Sequence, residues 1–296
     1  MMTTKVLGAA LMLIAILAVG QISGRVDGER PVASSSLQPM VVQLPLADQA
    51  PVSQARLPPE LALQIYGRRT LLQERELGAY TDVTIIHADL PDICQEGEFE
   101  LQRHYTAPGT LQFIPIQYTG DGFVKTDVIV RMLQAEKDRL QNRETGATAI
   151  TDANYKFSYV GQSDIDGRSV HAYEVKPRAK RKGLFKGRIY LDPVTGSLVR
   201  TEGVLAKSPS FFIKKLRFVN DYADIGAFTL PVRMHAVALA RIIGHAVVDV
   251  YHRNYRPIAL AGDSEGKELG DHWTAVNVAD EANSGASDYF DQEHDK

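Results

Sequence analysis

The sequence predicts an α+β chain that is mainly antiparallel β, and three observations lead there. From Tyr80 onward, apolar and polar residues alternate with a period of two, as in YTDVTIIHADL. That is the spacing of a strand with one buried face. Asp166-Gly167 and Thr195-Gly196 punctuate the second half. Such dipeptides suit tight turns, because glycine takes positive φ at little cost, and short turns make consecutive strands antiparallel neighbours. Helical periodicity is confined to two segments. A helix is roughly 10 Å wide and strands lie about 4.8 Å apart, so two helices cannot cover a sheet of about ten strands. The sheet is therefore expected to curl around its helices. The apolar space between them is either filled by side chains or kept as a cavity.

At the N-terminus, Lys5 precedes VLGAALMLIAILAVG, an apolar run of about 15 residues, where a membrane-spanning helix needs about 20. Ala18 and Gly20 are small residues placed as before a cleavage point. Residues 1–20 thus read as a signal peptide, with a retained N-terminal anchor as the alternative. Either one exports the chain beyond Gly20, which makes the expected location periplasmic. Residues 21–57 are rich in Ser, Pro, Gln and Ala and read as a flexible linker.

A folded domain is expected over 58–257. Pro58-Pro59 opens a first helix, with Leu61, Ile65 and Leu72 on one face. Three strands come next, in YTDVTIIHADL, GEFELQRHYTAPG and TLQFIPIQYTGDG. A second helix runs through KTDVIVRMLQAEKDRLQNR, with Thr126 or Asp127 as N-cap. Ile129, Met132, Leu133 and Leu140 line one of its faces, and Glu136 interrupts that face. From Asn154 the chain reads as antiparallel hairpins. Phe228, Leu230, Val232, Met234 and Ala236 share a face, as do Phe212, Leu216 and Phe218 with Lys214. Ala246, Val248, Val250 and His252 form a third such row. Residues 258–296 are acidic and read as a largely disordered tail, in which Trp273 could anchor a docking segment.

Composition excludes several functions. A net charge of −3 does not suit a dedicated nucleic-acid binder. The lone Cys94 rules out an intramolecular disulfide and a Cys-rich metal site. No paired histidine spacing, serine elbow or glycine-rich phosphate loop is present. Asp164-Ile165-Asp166-Gly167 lacks the later ligands of a calcium loop and reads as a hairpin turn. No catalytic residue, metal or cofactor is therefore expected. The run KPRAKRKGLFKGRIYLDP reads as a strand end, a solvated loop over 178–186 and a strand start. Its functional alternative is a membrane contact through Lys180, Arg181 and Lys182, with Leu184 and Phe185 dipping toward acyl chains.

The runs YVGQSDIDGRSVHAYEVKP, KGRIYLDPVTGSLVRTEG, KSPSFFIKKLRFVNDY, GAFTLPVRM and GHAVVDVYHRNY resemble the outer-membrane lipoprotein-sorting protein family, related to the LolA and LolB lipoprotein carriers. The resemblance implies a strongly curved, half-open β-barrel with helices covering its mouth, and a non-enzymatic carrier that holds acyl chains in an apolar cavity. Phe212, Leu216, Phe218, Leu230, Val232 and Met234 would line the sheet side of that cavity, and Ile129, Met132 and Leu133 the lid. On the residues alone, each reads equally well as ordinary core. The resemblance also implies a lid-latching arginine late in an early strand, which Arg103 matches in spacing. Taken by itself, Arg103 reads as a solvent-facing edge residue. The implied partner is a lipoprotein or other acyl-bearing ligand, with a membrane surface or an envelope protein as further candidates and nucleic acid excluded. Two functional alternatives stay open: an envelope sensor or scaffold that binds a protein, and an envelope hydrolase.

Overall fold

The computed structural model describes residues 55–142, 145–208 and 211–257. The expected signal segment, most of the linker and the acidic tail with Trp273 lie outside the described residues. The described chain is mostly antiparallel β, a single open sheet of ten strands with few helices.

Helix α1 (Pro59–Glu76) comes first. It is followed by the meander β1 (Ala79–Leu90), β2 (Gln95–Thr106) and β3 (Thr110–Gly120). A π-helical segment, Val124–Ile129, runs directly into α2 (Val130–Gln141), and the short helix α3 (Thr145–Thr148) comes next. The second meander holds β4 (Tyr155–Ile165), β5 (Arg168–Pro177), β6 (Phe185–Leu191) and β7 (Leu198–Leu205). It closes with β8 (Ile213–Ile225), β9 (Phe228–Ala240) and β10 (Gly244–Pro257). The order across the sheet is β3-β2-β1-β10-β9-β8-β7-β6-β5-β4. The last strand therefore lies inside the sheet, and β3 and β4 form its edges. The helical segment joins one edge to the other.

The alternation read from sequence decides which residues are inside. In β1, Tyr80, Asp82, Thr84, Ile86, Ala88 and Leu90 are buried, while the residues between them are half-exposed. Ile86, Ala88 and Leu90 join Phe99, Leu101, Phe218, Met234, Val248 and Val250 in one apolar cluster. Val124, Val128, Ile129, Met132 and Leu133 complete it from the helical segment. A second cluster gathers Leu77, Tyr80, Tyr105, Leu140, Leu230 and Tyr255.

A transverse row in which four of eight residues are glycine and two are alanine crosses the sheet. Successive strand pairings align Gly187, Gly203, Phe218, Ala236, Val248, Ala88, Gly97 and Gly120. At Gly187 and Gly203 the backbones of β6 and β7 approach so closely that a Cβ on Gly187 would overlap the Glu202 carbonyl oxygen. Only glycine fits such an approach.

Two helical expectations need correction. Leu61 and Leu72 are each 42% exposed, and Ala62 and Tyr66 are buried instead. The small Ala62 lets α1 close onto the β6–β7 turn, where Gly196 lies against Ile65 and the Ala62 carbonyl. The Tyr66 hydroxyl then donates to the Ile150 carbonyl at 3.1 Å. Neither Thr126 nor Asp127 caps the second helix, because helical backbone already begins at Gly122. Thr126 donates instead to the Gly122 carbonyl within the helix, at 3.0 Å.

Candidate functional site

Polar residues interrupt the apolar inner face at Thr201 and Asn220 on β7 and β8, and a charged group interrupts it at β1, β2 and β10. Asp82 and Thr84 interrupt it on β1, Arg103 on β2 and His252 on β10, and all four are buried. Strand register brings them together, with Asp82 opposite Arg103 and Thr84 opposite His252. Glu136 arrives from α2, at the position where it interrupts that helix's apolar stripe.

Arg103 is the centre of the group and is 1% exposed, so it is not a solvent-facing edge residue. Its Nε donates to Asp82 Oδ1 at 2.8 Å, its Nη1 to Glu136 Oε1 at 3.1 Å and its Nη2 to the Tyr80 hydroxyl at 3.4 Å. Asp82 Oδ2 accepts from Thr84 Oγ1 at 2.7 Å and lies 3.0 Å from His252 Nδ1. The site thus ties strands β1, β2 and β10 to helix α2 across a boundary between the two apolar clusters.

The electrostatics follow from burial and pairing. Burial pushes the Asp82 carboxyl up, but Arg103, His252 and Thr84 together outweigh it and hold Asp82 at about 2. Burial, reinforced by the neighbouring Arg103 charge, lowers the His252 imidazole below its ordinary value despite Asp82. Burial pushes the Tyr80 hydroxyl up to about 12. His252 is therefore neutral near pH 7, and its Nδ1 proton faces Asp82.

Asp82, His252 and Thr84 look like an acid–base–nucleophile set, but their order is wrong. A relay needs the carboxylate on one imidazole nitrogen and the nucleophile on the other. Here Thr84 Oγ1 and Asp82 Oδ2 both lie 3.0 Å from Nδ1. His252 Nε2 is buried without a hydrogen-bond partner. This histidine lines a small cavity together with Thr84, Arg103, Glu136, Met132, Leu133, Met234 and Val250. At about 10 Å³ the cavity has room for one water molecule. A wider trough of about 440 Å³ lies elsewhere, over Gly187 and Gly203, lined by Glu174, Lys186, Arg188, Glu202 and Arg217. Its charged lining does not suit an acyl chain. Among the described residues, no three His, Cys, Asp or Glu side chains gather to hold a metal ion.

The residues expected to line a cavity are largely brought together. Ile129, Met132, Leu133, Leu216, Phe218 and Met234 belong to the main apolar cluster, and Phe212 packs against it half-buried. Leu230 belongs to the second cluster. Val232 departs from its expected face. It sits at a β-bulge, where Asp221 pairs with Arg233 and Tyr222 with Pro231, and it is half-exposed.

Leu184 and Phe185 are corrected more strongly. At 0% and 1% exposure they are core residues and reach no surface. The Phe185 ring packs 5.1 Å from Phe218 and 5.4 Å from Tyr155, and its N–H donates to the Tyr155 hydroxyl. Lys180, Arg181 and Lys182 are exposed, as expected for the loop. Sequence reading missed Tyr80, Asp82, Thr84 and the role of His252 as members of one site.

No family model matches the chain, and no curated protein matches it. Solved structures similar to it include a DUF1329 family protein from Desulfovibrio piger, at 10% identity and a TM-score of 0.37, covering 69% of this chain and 95% of that one. Another is an outer membrane lipoprotein-sorting protein domain from Vibrio parahaemolyticus, at 12% identity and a TM-score of 0.37, covering 71% and 95%. A third is a LolA superfamily protein from Nitrosomonas europaea, at 9% identity and a TM-score of 0.33, covering 68% and 94%. The second and third bear the names of the group that the sequence resembles. At such TM-scores the likeness carries no argument about function.

Proposed function

We propose that this chain is a non-enzymatic periplasmic carrier for lipids or lipoproteins, built as a half-open barrel whose mouth the helices cover. One observation carries the reading. The π-helical segment and α2 meet the sheet through an apolar surface of Ile129, Met132 and Leu133, and the Glu136–Arg103 ion pair ties α2 down at one buried point. An acyl chain would take the place of these side chains against Ile86, Met234 and Val250. The methionines suit that exchange, since their flexible thioethers repack easily. Magnitudes allow it. Breaking a buried ion pair costs about 3–5 kcal/mol, whereas burying a dozen methylenes returns about 10 kcal/mol. Arg103 acts in this reading as the latch that closes the empty protein.

The test is mass spectrometry of organic extracts from protein purified under mild conditions, together with titration of a fluorescent fatty acid. Co-purified acyl lipid and saturable probe binding are expected. Protein that carries no lipid and binds no probe would end the proposal.

A second reading, an envelope scaffold that binds a protein, is favoured by the exposed Leu61, Leu71 and Leu72 on α1. Capture of one envelope protein without lipid, lost on removal of residues 258–296, would select it.

A further inference from the structure

The strand ends of the sheet differ in charge from one end to the other. The ends of β4, β6 and β8 and the turns after them carry Asp164, Asp166, Asp192 and Asp224, of which the last three pair with Arg200, Arg168 and Arg69. At the opposite end, residues 176–186 hold six cations and no carboxylate, and residues 206–217 hold four and none. Arg241 lies on the β9–β10 turn at that same end. The carboxylates at that end lie mainly on the β1–β2 hairpin, where Asp89, Asp92, Glu96 and Glu98 stand and His245 engages Asp92, with Asp121 and Asp152 beside them.

These cationic connections form one continuous rim. The Ala206 N–H donates to the Leu184 carbonyl at 2.8 Å, joining the β5–β6 loop to the end of β7. Arg241 donates through its backbone to the Phe212 carbonyl and through Nε to the Phe211 carbonyl, each at 2.8 Å. Its guanidinium also lies 4.6 Å from the centre of the Phe211 ring. Two large apolar side chains project from this rim, Phe211 at 75% exposure and Ile242 at 57%.

We propose that this rim docks on an anionic lipid bilayer. Phe211 and Ile242 enter the interfacial layer, and Lys180, Lys182, Lys207, Lys214 and Lys215 face the headgroup phosphates. The division of labour among the cations favours a bilayer over an acidic protein. The rim arginines are engaged internally: Arg178 donates to the Asp152 and Tyr155 carbonyls, Arg181 to Asn154, and Arg241 to Phe211. Forked, bidentate recognition of protein carboxylates is the arginine's role. The outward-facing charges are dispersed lysines, point charges on long stems, around aromatic and aliphatic tips. That is the composition of a membrane-surface contact. The surface does not depend on whether an acyl chain enters the core.

The test places a reporter on the rim itself, so that any vesicle binding through the apolar residues 6–20 is not read as docking by the rim. Full-length Trp273→Phe/Phe211→Trp and Trp273→Phe/Ile242→Trp proteins are mixed with phosphatidylcholine vesicles, with or without phosphatidylglycerol. With the anionic vesicles, the rim tryptophan should shift to the blue and be quenched by brominated lipid, and salt should reverse both changes. Adding Lys180→Ser, Lys182→Ser and Lys207→Ser should raise the lipid concentration needed on the order of 100-fold. A tryptophan that stays water-exposed on both vesicles would overturn the proposal. So would a blue shift produced by soluble polyglutamate and not by vesicles, which would make the rim a surface for acidic protein.

Discussion

Arg103 Nη1 lies 3.1 Å from Glu136 Oε1, with both side chains buried. This pair carries the charge linking helix α2 to the strand it covers. Removing one partner leaves the other buried and uncompensated. Glu136→Ala should therefore lower the unfolding free energy by about 3 kcal/mol in urea titrations. The double change Glu136→Ala/Arg103→Met should depart from the sum of the single changes by at least about 1 kcal/mol. Additive losses would mean that the two residues do not act as a pair.

The same contact sets the cost of moving α2. Glu136→Gln keeps the shape and weakens the tie. If acyl ligands enter under this helix, the variant should bind a fluorescent fatty acid about tenfold more tightly, since a factor of ten corresponds to about 1.4 kcal/mol. Unchanged affinity in a folded variant would place the ligand elsewhere.

His252 gives the site a pH dependence with a defined sign. Its folded-state value lies below the ordinary 6.5, through burial and Arg103, so the unfolded chain binds more protons below that pH. Stability should fall as pH drops through the ordinary 6.5 toward the lower folded-state value. Asp82 adds a later loss, between its ordinary 3.8 and about 2. The groups facing His252 are Asp82, Thr84, Arg103 and Glu136. His252→Gln should flatten the upper limb of urea midpoint against pH and leave the acid limb in place. An unchanged upper limb would assign it to another histidine.

Two glycines should respond in opposite directions. Gly67, in α1, has open space where a Cβ would go, so Gly67→Ala should raise stability by about 0.5–1 kcal/mol. At Gly187 a Cβ would overlap the Glu202 carbonyl oxygen. Gly187→Ala should cost about 2 kcal/mol or more as the strands are forced apart. Thermal unfolding of the two variants would check both signs.

Phe185 and Phe211 make a second contrast. Phe185 is buried among Tyr155 and Phe218, and Phe211 is exposed. Phe185→Ala should cost about 3–5 kcal/mol, whereas Phe211→Ser should leave the unfolding midpoint nearly unchanged. Equal losses would contradict the burial of one and the exposure of the other.

Much of the sheet was legible in sequence, because alternation with a period of two reports a strand with one buried face wherever turns are short. The ion-pair site was half legible. Glu136 visibly breaks the apolar stripe of its helix, and His252 stands in the apolar row of β10. Asp82 and Thr84 likewise hold inward positions in YTDVTIIHADL. Each break looks like local noise, and pairings across the sheet show that all of them meet. Arg103 was found through the resemblance, since spacing alone gives no sign of burial. The face of α1 was misread because leucines dominate a hydrophobicity count, while the contact is made by the small Ala62 and the hydrogen-bonded Tyr66. The basic run was read correctly as a loop, but Leu184 and Phe185 already belong to the strand side of it. The exposed apolar tips come instead from Phe211 and Ile242, on neighbouring connections.

The position of β10 has a consequence for how the chain is made. His252 meets Asp82 across 170 positions of sequence, and β10 lies between β1 and β9. Until residues 244–257 emerge, the three-stranded N-terminal piece has nothing to pair with, and the six strands after it present an open edge. Synthesis from the N-terminus therefore cannot leave a finished subdomain behind it. The pairing of β10 with β1 joins segments far apart in sequence and raises the contact order, and a chain truncated before Tyr251 would lose the strand that joins its two halves.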